Sequence, residues 1–375
     1  MAAGDGTLKV LALDGGGIHG IIPASILAYI EEHAGQPASR LFDLVVGTST
    51  GGILALGLTA PDDAGKPKFS ARALDELYQR DAGQIFQPWD TDGVLHEAEE
   101  AIVEHLVRRD IARTGAPDAE DSDAGPVPWW HGLLHPKYSG SGIESFLRTQ
   151  LGATQLSEPV AGTAVAVNSF DLDAYDLAML RSWEAEADPA RDYPMWAAAR
   201  ATSAAPTFFP PAAVGNVDGT KVLHGIDGAV AVNDPVLVGY AEAQRLRAHR
   251  GVASDGAPVL IVSIGCGRQV GQSIPFDEVR DAGVVAWSLH GLFNLLMEGG
   301  NIASNQLAER ILPPASFHRL QPPLSGPGFH VTASIDDWSE GNIANLRKAA
   351  EHYIAAHRAT LDAIAAELAG SARMA

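Results

Sequence analysis

Four stretches of the chain are apolar almost without interruption: "LKVLALD" at 8–14, "FDLVVGT" at 42–48, "GTAVAVNSF" at 162–170 and "PVLIVSIG" at 258–265. Runs this short, bounded by turn-forming residues, read as buried strands, because a strand covered on both faces shows no polar side. Segments of helical period lie between them. The expected architecture is therefore α/β, a three-layer α/β/α sandwich around a central, mostly parallel sheet.

After Asp337, apolar Ile343, Leu346, Ala350, Ile354, Leu361, Ile364 and Leu368 recur at three- and four-residue multiples, which predicts one amphipathic helix packed on the domain. Asp336-Asp337 precede it, and Asp337 and Glu340 have the spacing of a capping box. "HEAEEAIVEH" at 96–105 reads as a solvated helix face. Regular structure is not expected at 60–68, nor at 112–137, "ARTGAPDAEDSDAGPVPWWHGLLHPK", which reads as an exposed insertion. No internal repeat is visible. We expect a single domain over 1–375, with a core at about 8–240 and the part at 256–370 packed on it.

Composition narrows the function. With 375 residues, 46% of them hydrophobic, the chain can bury a substantial core. Its formal charge of -20 repels polyanions, so nucleic acid is not an expected partner. No basic region followed by an apolar leader opens the sequence, and no run of about 18 apolar residues follows, so neither export nor a membrane span is encoded recognisably. Cys266 is the only cysteine, which rules out an intrachain disulfide and Cys-based zinc sites and fits a cytoplasmic setting. His131 and His135 have the spacing of zinc ligands, but no H-E-x-x-H is present and Pro136 argues against a helix there. No metal and no cofactor is assigned.

Two glycine motifs carry the chemistry. The first, "VLALDGGGIHGIIP" at 10–23, satisfies G-x-G-x-x-G through Gly15, Gly17 and Gly20, and glycine-bared N–H groups at a helix start will hold either a pyrophosphate or an oxyanion. The second, "FDLVVGTSTGGILALGL" at 42–58, runs strand, sharp turn, helix, with G-x-S-x-G formed by Gly47, Ser49 and Gly51. That arrangement lifts a serine hydroxyl above the sheet and sets a helix N-terminus behind it. A dinucleotide site should instead carry Asp or Glu at the end of the second strand, where this chain has Gly47-Thr48-Ser49. The loop Gly15, Gly16, Gly17 is therefore expected to supply oxyanion-hole amides, joined by the amide of Thr50.

Taken in order, "DGGGIHG" at 14–20, "GTSTGG" at 47–52, "ARATSAAPTFFPP" at 199–211 and Asp227-Gly228-Ala229 resemble the patatin-like lipid acyl hydrolases. The resemblance extends through "HPKYSGSGIESFLRTQLG" at 135–152, "SFHRLQPPL" at 316–324 and "IDDWSEGNIANL" at 335–346, and so covers most of the chain. It implies a catalytic dyad of Ser49 as nucleophile and Asp227 as base, with no histidine, cleaving lipid esters through an acyl-enzyme. It also implies a lipid ester as partner; transient contact at a membrane surface is an expectation that rests on Trp129 and Trp130 in the insertion. Two departures stand out: His19 occupies a position where the family commonly has Lys or Arg, and Asp234 stands where it often has asparagine. Asp234, if close, would raise the pKa of Asp227 by like-charge repulsion. Left open are a histidine-dependent hydrolase using His318 or His330, a ligand-gated effector and a nucleotide-binding module. Trp129 and Trp130 in the insertion suit either lipid contact or the core.

Overall fold

The computed structural model describes residues 6–89, 135–252, 258–271, 273–283, 287 and 291–370. Residues 96–105, Trp129, Trp130, His131 and all but the last three residues of the expected insertion lie outside them.

The four apolar runs form the centre of one sheet: β1 (Leu8–Leu13), β2 (Leu44–Thr48), β3 (Ala164–Asp171) and β7 (Val259–Ile264). They lie in the order β3-β2-β1-β7 and all pair parallel, in registers such as Val10↔Leu44, Leu8↔Val259 and Leu44↔Ala164. β8 (Phe317–Leu320) adds a further parallel strand beyond β7, so residues after 258 complete the sheet that the N-terminal part begins.

Alternation along these strands divides the interior in two. Leu11 and Leu13 of β1, Val45 of β2, Val165 and Val167 of β3 and Val262 and Ile264 of β7 face one apolar core. It is closed by α1 (Ile21–Ala34), α2 (Thr50–Thr59), α3 (Ala71–Ile85) and α4 (Gly140–Leu151). Leu8, Val10 and Ala12, with Leu44, Val46, Ala164, Ala166, Val259 and Ile261, face the other, covered by α6 (Val236–His249) and Ala308 of α7 (Leu292–Ile311). Every strand residue of β1, β2 and β7 is buried, the condition a parallel sheet with helices on both faces imposes.

The apolar pattern did not mark the antiparallel strands. β4 (Asp176–Arg181) pairs with one edge of β3, while β5 (Ala212–Gly215) and β6 (Val222–Asp227) form an antiparallel pair. β6 is bound to β3 through Ser169↔Asp227, Phe170↔Ile226 and Asp171↔Gly225. Because β4 pairs with β3 along 166–171, β2 and β6 must occupy the same opposite edge, β2 as far as Asn168 and β6 from Ser169 onward.

The expected single C-terminal helix is two, α8 (Glu340–Ala356) and α9 (Arg358–Gly370), separated by His357 in a non-helical conformation (φ -116°, ψ 22°). A one-residue break barely shifts a three-to-four-residue period, so the apolar spacing passes through it. The break lets both helices lie along α1, burying Leu346 and Ala350 from the first and Leu361, Ile364 and Leu368 from the second. Nor does Asp337 cap α8: Ser339 does, accepting from the Asn342 amide, while Asp337 accepts from the Ser339 amide and the Thr332 hydroxyl.

Among the described residues no helix is long and apolar enough to cross a membrane. Leu11 is fully buried in the sheet centre, whereas Leu296 on α7 is 65% exposed. Leu11→Ala is expected to cost about 2–5 kcal/mol in denaturant unfolding and Leu296→Ala to stay within about 0.5 kcal/mol.

Candidate active site

Ser49 is the single residue between β2 and α2, held at φ 54°, ψ -123°, a left-handed backbone that a residue with a Cβ rarely adopts. The turn is this sharp because its neighbours lack side chains. A Cβ on Gly47 would stand 2.1 Å from the Gly51 carbonyl oxygen, and one on Gly51 would stand 2.2 Å from that of Leu13. The strained residue is pinned through its backbone: its amide donates to the Thr202 hydroxyl at 2.9 Å, and its carbonyl accepts from Ile53 at 3.0 Å as α2 begins.

The Ser49 hydroxyl donates to Oδ2 of Asp227 at 2.6 Å. Register explains the meeting: Thr48 lies opposite Asn168 and Asp227 opposite Ser169, so the residue following β2 and the residue ending β6 reach adjacent rungs of one edge of β3. Oδ1 of Asp227 accepts from the Ala229 amide at 2.8 Å, and its own amide donates to the Ala204 carbonyl at 2.9 Å. Gly228 lets this turn close, since a Cβ there would sit 2.4 Å from the Asn168 carbonyl oxygen. Burial pushes the Asp227 carboxyl up to about 7, against the opposing hydrogen bonds from Ser49 and Ala229. Asp234 is not the cause, contrary to the sequence expectation: its carboxyl faces Asp14, Arg319 and Asn305 instead.

The glycine loop lies against Ser49: a Cβ on Gly15 would fall 3.1 Å from that of the serine. Its three amides are not equivalent. Gly15 donates to the Asn233 carbonyl at 3.1 Å, so this amide, expected from the sequence in the oxyanion hole, is already engaged. Those of Gly16 and Gly17 donate to no carbonyl among the described residues, and Thr50 stands at the first position of α2, where an amide has no intrahelical acceptor. Gly17 has φ +55° and lets the Ile335 carbonyl approach; that carbonyl takes the Ile18 amide at 2.8 Å. At Gly20 the missing side chain admits the Thr50 hydroxyl, to which a Cβ would stand at 2.4 Å.

A cleft opens over these groups. Its inner wall is apolar, with Ile53, Ile85, Phe86, Ile143, Phe208 and Phe209, and its rim is polar, with Asn233, Arg268, Gln269, Glu298 and Asn301. Arg268 and Glu298 pair across the rim at 2.8 Å. His19 also lines the cleft, but burial pushes its ring down to about 4, so it is neutral near pH 7 and offers no charge to a phosphate. Neither histidine of the alternative mechanism is near Ser49: His318 on β8 faces Glu367 at 3.3 Å, and His330 is exposed on β10 (Phe329–His330), which pairs with β9 (Ser325–Gly326). Among the described residues no group of three or more His, Cys, Asp and Glu is placed to hold a metal ion.

Residues 11–240 match the family described as patatin-like phospholipase. The chain belongs to this family. Patatin-like protein 2 of Oryza sativa subsp. indica is 29% identical over 371 residues, covering 92% of this chain and 83% of its own length. Patatin-T5 of Solanum tuberosum is 28% identical with the same coverage, and patatin-like protein 1 of Arabidopsis thaliana is 34% identical over 62% of this chain and 50% of its own. The matched span holds both glycine motifs and Asp227, whereas Arg268 and Ile335, which also line the cleft, come after it.

Several supporting residues were not singled out from the sequence. Thr202, the last residue of α5 (Met195–Thr202) and inside "ARATSAAPTFFPP", accepts the Ser49 amide, and Ala204 of the same stretch accepts the Asp227 amide, so this segment bridges the two. Asn168 donates from its side chain to the carbonyls of Gly228 and Val232. Asp336, expected beside a helix cap, is buried and takes Lys137 and the Tyr138 hydroxyl, each at 2.6 Å. Thr202→Val keeps the shape but leaves the Ser49 amide without its acceptor; it is expected to lower stability by about 1–3 kcal/mol in thermal unfolding and to slow chemistry at Ser49.

Proposed function

We propose that this chain is a lipid acyl hydrolase that cleaves carboxylic esters with Ser49 as nucleophile and Asp227 as its base. The observation that carries this reading is the 2.6 Å hydrogen bond from the serine hydroxyl to a buried carboxylate at the foot of a cleft with an apolar wall. As Ser49 Oγ attacks the ester carbon, its proton passes to Asp227 Oδ2, and the carbonyl oxygen, now an anion, is met by the amides of Gly16, Gly17 and Thr50. Collapse breaks the bond to the leaving alcohol, which takes the proton back from Asp227, and an acyl-serine remains. Water then attacks the acyl carbon, gives its proton to Asp227, and Ser49 recovers it as the fatty acid departs.

The wall suits the acyl chain and the rim suits a polar headgroup, which favours glycerolipid esters, phospholipids among them. With His19 neutral, a headgroup phosphate in this cleft would meet the Arg268 guanidinium at the rim. A carboxyl held at about 7 also fits the role, because a base of that strength is half ionised near neutral pH and can both take and return a proton.

A fluorophosphonate probe is expected to label wild type at Ser49, with labelling and ester hydrolysis lost in Ser49→Ala and reduced at least about 10³-fold in Asp227→Asn, while His318→Ala and His330→Ala stay within about twofold. Because the base must be ionised, the wild-type rate should fall by about tenfold for each pH unit below about 7. A histidine variant as impaired as Ser49→Ala, with its fold intact, would reject the dyad.

A further inference from the structure

Behind the glycine loop lies a pair of carboxyls that the proposed acyl chemistry does not use. Asp14 immediately precedes Gly15, and Asp234 follows Asn233, whose carbonyl holds the Gly15 amide. Both are about 1% exposed, and their side chains are in hydrogen-bond contact. One cation serves the two. Arg319 donates to Asp14 through both terminal nitrogens, at 2.9 and 2.5 Å, but stands 3.6 Å from Asp234. The same terminal nitrogens also donate to the Ser263 hydroxyl at 2.7 Å and the Gln321 side-chain carbonyl at 2.9 Å, while Nε has no hydrogen-bond partner among the described residues.

Two buried carboxylates facing one guanidinium would leave a negative charge uncompensated, and an interior of low polarity removes such a charge by taking up a proton. Asp14 already has the two short ion-pair bonds. Asp234 accepts hydrogen bonds from neutral donors only, the Val236 amide at 3.0 Å and the Asn305 side-chain amide at 2.6 Å, with the guanidinium farther off at 3.6 Å. We propose that Asp234 is held as the neutral acid and donates its O–H to the Asp14 carboxylate, clamping the base of the glycine loop as a positioning residue for the chemistry at Ser49.

The surroundings agree. Burial, with the Asp14 charge adding to it, raises Asp234 to about 7 against the opposing pull of Arg319. The other titratable groups facing the pair are the Cys266 thiol, pushed well up by burial, and Glu298 on α7, also raised. When Asp234 loses its proton, two like charges touch at the point where the loop leaves β1, and the segments joined by the Gly15 amide and the Asn233 carbonyl repel each other. Gly16 and Gly17, which line the cleft, are then no longer held in place.

This inference rests on Ser49 acting as the nucleophile, and the test separates the two. An asparagine at 234 presents an N–H to Asp14 at every pH, and Asn305 can turn its amide to offer Oδ1, a buried atom without a hydrogen-bond partner among the described residues. The rate of fluorophosphonate labelling at Ser49 is measured from about pH 6 to about pH 10 in wild type and in Asp234→Asn. Wild type is expected to lose several-fold of its rate above about pH 8, and D234N to lose less than about twofold while keeping the acid limb set by Asp227. Melting temperatures give a readout independent of chemistry: a carboxyl raised by folding makes wild type lose stability as pH climbs from about 4 to about 7, so the advantage of D234N should widen across that window. No labelling at any pH in wild type would reject the nucleophile itself. Labelling with the same alkaline limb in both proteins, a stability gap that does not change with pH, or a D234N chain that fails to fold would each overturn the clamp.

Discussion

One edge of β3 decides where Ser49 and Asp227 meet. It is shared by two partners of opposite direction, β2 as far as Asn168 and β6 from Ser169 onward, and the ends of those partners converge where one gives way to the other. Ser49 and Asp227 are far apart in sequence, yet they arrive on neighbouring rungs of a single strand, and a hydroxyl-to-carboxylate distance of 2.6 Å follows from backbone pairing before any side chain is chosen. The strained turn at Ser49, the tight closure at Gly228 and the bridge from "ARATSAAPTFFPP" all serve to keep those two ends from drifting along that edge.

Desolvation sets the character of the acids around the cleft. This is an acidic chain, but the acids near the cleft differ from those on its surface in being stripped of water, and their surroundings then give each a different task. Asp227 has neutral hydrogen-bond donors only, and burial raises its carboxyl to about 7, the strength that its proposed role as base requires. Asp14 takes a guanidinium and stays an anchor, and Asp336 takes a lysine and a tyrosine and ties residues 137–138 to the segment that touches Gly17. The same side chain is a base, a strut or a tie according to the charge beside it.

The sequence disclosed the fold's centre more readily than its rim. β1, β2, β3 and β7 were legible because a strand buried on both faces must be apolar throughout; β4, β5, β6 and β8 are short, partly exposed and mixed in polarity, and carry no such mark. Ser49 announced itself through glycines needed for a turn only they permit. Asp227 did not, since Asp-Gly is also an ordinary turn, and it was picked out only by family resemblance. Thr202, Asn233 and Arg319 act through contacts more than 100 residues away in the chain, which no local pattern encodes. The engagement of the Gly15 amide and the separation of Asp234 from Asp227 likewise depend on tertiary placement, as does the break at His357, on either side of which a helix packs against α1.

The order of residues along the chain has a temporal meaning. A nascent polypeptide that has emerged only through α6 already contains β1, β2, β3 and β6, and with them Ser49 and Asp227. It lacks β7 and β8, the Arg319 that neutralises Asp14, and the Ile335 carbonyl that receives the Ile18 amide. Synthesis thus delivers Ser49 and Asp227 early and the partners of the glycine loop late, so under the proposed mechanism the nucleophile and its base are made before the cradle for the oxyanion can be completed.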